Sequence, residues 1–282
     1  MLRIAVPNKG SLSEPAVQML KEAGYQARRN GRELQLLDKQ NDVEFFFLRP
    51  RDIAVYVGSG VVACGITGRD LLIDSGVEAV EHLGLDFARS TFRFAGPQGQ
   101  FQDLNDIAGK RIATSYDLLV EKFLGEREIS VAQVVHLDGA VESSVRLGVA
   151  DCIADVVETG STLRAAGLET FGEPLMQSEA VLITKEAHVN DPQLATLVAR
   201  LQGVMVARNY VLMDYNAPTA KLDALLAITP GIESPTISDL AESSWKAVRV
   251  MVQAKDVNLI MDKLYAAGAR GILVTDLKAC RL

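Results

Sequence analysis

The 282-residue sequence predicts an α/β fold of two lobes, followed by a smaller unit of a different kind. Three observations carry this reading. Short apolar runs alternate with helical patterns through residues 1–185, and polar, glycine-bearing turns follow the runs. That β–loop–α order favours a mostly parallel sheet. The pattern restarts near residue 90. The formal charge of −7 is confined to residues 1–210, because Val211 to Leu282 hold eight acidic and eight basic side chains.

The elements follow in order. Leu2–Pro7 reads as a strand, and Lys9, Gly10 and Ser11 as the loop after it. A helix from about Ser13 to Ala23 is capped by Ser11 or Ser13, with Glu14 suited to its dipole. Glu44–Leu48 is a strand, and Pro50 opens a short helix over Arg51–Tyr56. Cys64–Thr67 is a buried strand that runs through Gly68, Arg69 and Asp70 into a helix. In the second round Phe92–Ala95, Arg111–Thr114, Val131–Leu137 and Asp151–Val156 read as strands and Val141–Leu147 as a helix. The last of these strands meets Glu158–Thr162 and a helix to about Ala166. The simplest arrangement is a first lobe over 1–90, completed by about 185–210, and a second over 91–184, with a cleft between them. Glu179–Thr184 reads as a strand crossing back to the first lobe.

Asp191 has the place of a helix N-cap, and Leu194, Leu197, Val198, Leu201, Val204 and Met205 keep a 3–4 spacing to about Ala207. Then come strand Tyr210–Asp214, helix Ala220–Leu226, strands Ile232–Ile237 and Ala247–Val252, helix Val257–Ala267 and strand Gly271–Thr275. Gly268 stands where a C-cap glycine belongs. This is βαββαβ, a ferredoxin-like unit over 211–282.

Several function classes are excluded. No Lys/Arg-rich run points to nucleic acid or an anionic membrane. No apolar segment near the amino terminus resembles a secretory signal, and the longest uncharged run, Ile53–Gly68, is broken by glycines. Cys64, Cys152 and Cys280 are far apart and lack metal-ligand spacing, which suits reduced thiols in a cytoplasm. His82, His136 and His188 are equally scattered, and no Ser-His-Asp, Cys-His or HExxH arrangement occurs.

The informative segment is Glu142–Leu163, ESSVRLGVADCIADVVETGSTL. Asp155 closes a buried strand, and Thr159, Gly160, Ser161 and Thr162 turn into a helix start. Backbone N–H groups there point at anions, Gly160 permits close approach, and the hydroxyls add donors. The segment reads as a phosphate cradle with a sugar-binding acid beside it; it reads equally as an ordinary capped helix. Lys9, Arg49, Arg69 and Asp70 also follow strand ends, where ligands sit in open α/β sheets. Lys9, Arg49 and Arg69 would offset phosphate charge. Such a set suits electrostatic stabilisation of phosphate-bearing groups with Mg²⁺.

The spacing of Glu142, Gly148, Ala150, Ile153, Asp155, Val156, Thr159, Gly160, Thr162 and Leu163 resembles the signature of the ATP phosphoribosyltransferases. AVPNKGSL, LRPRDIAVYVGSG and GITGRDLL resemble the same family, and LMDYN and ITPGIESPTI resemble the regulatory domain of its long form. The resemblance implies a glycosyltransferase (pentosyltransferase) with a periplasmic-binding-protein-like two-lobed core. It would convert ATP and 5-phosphoribosyl-1-pyrophosphate (PRPP) to phosphoribosyl-ATP and pyrophosphate, the first step of histidine biosynthesis, with Mg²⁺ whose ligands stay unassigned. It implies that Asp155 contacts the ribose hydroxyls and that Thr159, Gly160, Ser161 and Thr162 hold the 5-phosphate. Lys9, Arg49, Asp70 and Tyr116 would line the rest of the cleft, with Glu142 nearby. It also implies histidine inhibition through a pocket near Asn216, Ile232, Thr236 and Gly271, a dimer–hexamer homo-oligomer, and no separate regulatory subunit. Two other readings are a solute-binding protein, which two lobes around a cleft also describe, and an amino-acid-sensing regulator built on the βαββαβ tail.

Overall fold

The computed structural model describes residues 1–27, 31, 33–157 and 160–281. Thr159, one of the expected cradle residues, therefore lies outside the described residues. The chain divides into two compact units, Met1–Lys21 with Tyr25–Ala195, and Glu22–Gly24 with Thr196–Leu282. The second begins earlier than the expected Val211, because the long helix before the βαββαβ segment is shared between the units.

The first lobe runs through β1 (Leu2–Pro7), α1 (Ser13–Glu22), β2 (Gln35–Asp38), β3 (Val43–Leu48), α2 (Pro50–Gly58), β4 (Cys64–Gly68), α3 (Arg69–Ser75) and β5 (Val80–Gly84). The second follows with β6 (Ser90–Pro97), β7 (Arg111–Thr114), α4 (Asp117–Glu126), β8 (Gln133–His136), α5 (Ser143–Arg146), β9 (Cys152–Val157), α6 (Ser161–Ala165) and β10 (Leu168–Ser178). Then β11 (Ala180–Thr184) returns to the first sheet, whose order is β2-β3-β1-β4-β11-β5. The second lobe thus ends near Ser178, not at residue 184. The second sheet has the order β10-β6-β9-β7-β8.

Neither sheet is mostly parallel. β1 pairs in parallel with β3 and β4, but β2, β11 and β5 join antiparallel. In the second sheet β7 pairs in parallel with β8 and β9, while β6 and β10 are antiparallel. The returning strands β10 and β11 account for much of the difference, since a chain that crosses between lobes re-enters a sheet against its neighbour.

Local chemistry explains the elements nearest the cleft. Pro50 is the first residue of α2, where its missing N–H costs nothing, and Arg49 before it is extended, as a residue preceding proline prefers. Ile53, Ala54 and Val57 bury one face of α2. β4 is buried along its whole length. A Cβ on Gly65 would lie 2.5 Å from Ile53 Cγ2 and 3.1 Å from Ala5 Cβ, so only glycine lets α2 and β1 pack this close. In the second lobe Phe92, Phe94, Phe101, Phe123 and Phe171 fill one side of the sheet, with Phe101 stacked on Phe171 at 4.9 Å.

In the second unit, α7 (Pro192–Asn209) leads into β12 (Tyr210–Pro218), α8 (Leu222–Ile228), β13 (Thr236–Asp239), β14 (Trp245–Gln253), α9 (Val257–Ala267) and β15 (Arg270–Asp276). The sheet order β13-β14-β12-β15 is the ferredoxin-like one. Asp191 caps α7 through its carboxylate, which accepts from the Gln193 N–H at 2.7 Å. β12 alternates buried and half-buried side chains, and Met213, Tyr215 and Ala217 pack with Leu225 of α8 and Leu264 of α9. The expected strand from Ile232 starts only at Thr236; Ile232 sits in a bend, in a segment holding Gly231 and Pro235.

Gly65→Ala is expected to destabilise the first lobe by about 1–3 kcal/mol through overpacking. The urea unfolding midpoint, followed by circular dichroism, checks this; an unchanged midpoint would show that Ile53 and Ala5 can yield.

Candidate active site

The site is built where the chain crosses between lobes. β10 ends in Ser178 and α3 begins one residue before Asp70. The Ser178 hydroxyl donates to Asp70 Oδ1 at 2.8 Å, and the Asp70 N–H donates to Ser178 Oγ at 3.1 Å. Asp70 is buried in the first turn of α3.

Tyr116 reaches this acid from the second lobe. It precedes α4, and its phenol donates a hydrogen bond to Asp70. Its ring meets Phe92 edge-on at 5.0 Å, and the Arg51 guanidinium lies 4.8 Å from its centroid. Burial first, then the charges of Asp70 and Asp155, push the phenol far above its ordinary pKa, with Arg51 opposing. Tyr116 is therefore a neutral donor. Arg51 also pairs with the buried Asp74 at 2.6 Å, and Asp74 accepts from the Leu119 N–H of α4 at 3.3 Å.

A cavity of about 180 Å³ joins these groups, with Lys9, Gly10 and Ser11 after β1, Pro50, Asp70, Tyr116, Val156 and Ser178 on its walls. Three expected site residues, Lys9, Asp70 and Tyr116, thus meet at one place. Arg49 is exposed beside Pro50. Asp155 lies next to Val156, at the carboxyl end of β9, and its Oδ1 accepts from the Val156 N–H at 2.7 Å. Burial raises its pKa, and the charges of Glu142 and Asp70 raise it further. Glu142 stands at the N-terminal edge of α5.

Gly160 has φ +68°, a left-handed conformation that glycine adopts without strain, and directly precedes α6. Ser161 and Thr162 are exposed at the start of that helix. α6 is only five residues long. A macrodipole sums over many peptides, so anion binding here rests on individual N–H and hydroxyl donors more than on the dipole. Gly160 lines a different cavity from Lys9, Asp70 and Tyr116.

Arg69 does not serve as a spare phosphate cation. It pairs with Glu81 at 2.7 Å and Glu179 at 2.9 Å. Burial pushes the Cys64 thiol up, and that of Cys152 to about 12, so neither is a nucleophile. Among the described residues no group of three or more His, Cys, Asp and Glu converges to hold a metal ion. Sequence reasoning missed Ser178, Asp74 and the role of Arg51. Arg51 stood in the LRPRD segment already marked; Ser178 had no local signal.

The description ATP phosphoribosyltransferase matches residues 49–203, and the description of the C-terminal domain of that family matches residues 207–279. An ATP phosphoribosyltransferase of Arthrobacter sp. (strain FB24) is 61% identical over the full length of both chains. The chain belongs to the ATP phosphoribosyltransferase family. This is the family of the first step of histidine biosynthesis, a pentosyl transfer. The transferase of Streptomyces avermitilis is 59% identical, again with 100% of both chains covered. A solved chain from the ATP phosphoribosyl transferase (HisG:HisZ) complex of Thermotoga maritima is 25% identical with a TM-score of 0.62, covering 72% of this transferase and 97% of that chain. These relatives favour the enzyme over the solute-binding and sensor readings.

The raised pKa of Asp155 has a consequence for stability. The folded state holds a proton on this carboxyl more tightly than the unfolded chain does, so ionisation destabilises the fold as pH rises above the ordinary aspartate range. Asp155→Asn is expected to match the parent in thermal midpoint at pH 4 and exceed it at pH 7.5, while losing at least tenfold in turnover. A parent as stable as the variant at pH 7.5 would refute the cost assigned to this carboxylate.

Proposed function

We propose that the cleft between the lobes transfers the phosphoribosyl group of PRPP to adenine N1 of ATP. The N1–C1 bond forms, the C1–oxygen bond breaks, and pyrophosphate leaves with the bonding electrons. N1 has a lone pair and carries no proton, so the task is alignment and charge stabilisation. The observation that carries this reading is the half-buried Asp155, held within electrostatic reach of Glu142 and Asp70. A desolvated carboxylate that already repels its neighbours gains from two ribose hydroxyl donors. The same negative field favours positive charge developing at C1.

The remaining roles follow from position. Gly160, Ser161 and Thr162, with Thr159, hold the 5-phosphate. Lys9 and Arg49 offset phosphate charge at the strand ends, and Tyr116 donates from the second lobe. Mg²⁺, when bound, neutralises the polyphosphates. One or two carboxylates among Asp155, Glu142 and Asp70 would hold it with substrate oxygens, a donor set that suits this ion. The enzyme works in the cytoplasm as a homo-oligomer, dimer or hexamer, without a separate regulatory subunit.

Histidine binds the ferredoxin-like unit and inhibits. Asn216 and Gly271 are neighbours there: a Cβ on Gly271 would lie 3.2 Å from Asn216 Nδ2. The register Thr236↔Arg249↔Asp214 puts Thr236 on the same sheet face as Asn216, away from α8 and α9.

The decisive assay mixes protein, ATP, PRPP and Mg²⁺ and follows pyrophosphate and phosphoribosyl-ATP; no product would end the reading. Gly160→Val is expected to raise the apparent KM for PRPP about tenfold or more, a loss of about 1.4 kcal/mol. Unchanged PRPP kinetics would remove the cradle. Thr236→Ala is expected to weaken histidine inhibition with uninhibited turnover near the parent's, and inhibition of equal strength would misplace the effector site.

A further inference from the structure

Helix α4 begins without a cap of its own. A helix start leaves amide donors that a Ser, Thr, Asp or Asn at the preceding position normally satisfies. Here that position is Tyr116, whose side chain makes no capping bond. Asp117 does not replace it, since its Oδ2 is held 2.8 Å from His136 Nδ1. The missing acceptor comes from the first lobe. Asp74 Oδ1 accepts from the Leu119 N–H at 3.3 Å, and Leu119 is the third residue of α4, the place a capping side chain serves.

Asp74 gains nothing from its own helix. It lies in the last turn of α3, where the backbone presents carbonyl oxygens rather than N–H donors. It is nonetheless buried, and its second oxygen is met by Arg51 Nη1 at 2.6 Å. Asp70 and Asp74 are four residues apart, so they share one face of α3. The first takes the Tyr116 phenol and the second the Leu119 N–H. The two acids thus hold α4 at two points, its first-turn backbone and the side chain just ahead of it. The packing is close: a Cβ on Gly76, which ends α3, would lie 3.1 Å from Leu118 Cδ1.

We propose that Asp74 is a positioning residue for the phosphoribosyl transfer: it caps α4 from the opposite lobe and so sets Tyr116 on the wall of the cavity that Lys9 and Asp70 share. The proposal rests on the role given above to Tyr116. Asp74 is not among the described residues that line that cavity, so it acts on turnover through the helix.

Steady-state kinetics and amide exchange on the full chain test this. Asp74→Ala is expected to lower kcat tenfold or more, with the KM for PRPP within threefold of the parent's. It is also expected to speed exchange of the Leu119 N–H at least tenfold while the β7 amides keep parental protection. Asp74→Asn keeps an oxygen acceptor and gives up the ion pair, so it recovers part of both losses. With Tyr116→Phe as background, Asp74→Ala is expected to cost less than threefold more, because residues that act through one group are not additive. A merely structural acid would cost the same factor in both backgrounds, and that result overturns the proposal. So does parental kcat or parental Leu119 exchange in Asp74→Ala. Parental turnover in Tyr116→Phe alone shows that the role of Tyr116 has failed, and the positioning role falls with it. A slowed Tyr116→Phe beside an unaffected Asp74→Ala rejects the positioning role by itself. If Asp74→Ala does not fold, judged by its thermal midpoint, Asp74→Asn and Arg51→Met carry the same measurements. At least a threefold loss of kcat is then expected from each, and parental kcat in both overturns the proposal.

Discussion

Asp70 is the acid on which the arrangement of the first unit depends. It is buried at the start of a helix in one lobe, and its partners Ser178 and Tyr116 come from the other. A buried carboxylate is tolerated only where donors surround it, so the bonds that satisfy Asp70 also bring the lobes together. Arg51 and Asp74 repeat the device a turn further on, pairing with each other and reaching Tyr116 and the Leu119 N–H. The cleft therefore has a wired floor, and Lys9, Gly10 and Ser11 of the loop after β1 line the cavity beside it.

The charge balance is unfavourable at long range and favourable locally. The −7 lies entirely in residues 1–210, the part that must accept two polyphosphates. Arg69, the obvious extra cation, is already held by Glu81 and Glu179. What remain, in the function proposed above, are short-range donors, Lys9 and Arg49 at the strand ends, and a divalent metal that would travel with the substrates. Short-range groups act inside a low-dielectric cleft, where they outweigh surface charge screened by salt.

Much of this was legible in the residues. LRIAVP, EFFFL and CIADVV are apolar enough to name their strands, and the order βαββαβ of the tail is visible from turns and spacing. β2, β5 and β10 were not. β10 contains Gly172 and Pro174 and lacks alternation, because its pairing slips partway along. Helix α4 did carry a readable spacing in Leu119, Val120, Phe123 and Leu124, which a reading led by strand ends passed over. At the site, Lys9, Asp70 and Asp155 announced themselves by following strands. Ser178 could not, since its partner is 108 residues away and only the closed topology brings them together.

The place of β11 between β4 and β5 sets an order of assembly. β5 joins the first sheet through β11, so residues 1–84 alone cannot finish that sheet. The strands of the second sheet, by contrast, all come from Ser90–Ser178. During synthesis the second lobe can therefore close first, while the first waits with an open sheet edge until residue 184 has left the ribosome. The amino-terminal lobe is the later of the two to mature, and the buried Asp70 gains its Ser178 partner only at the end of that wait.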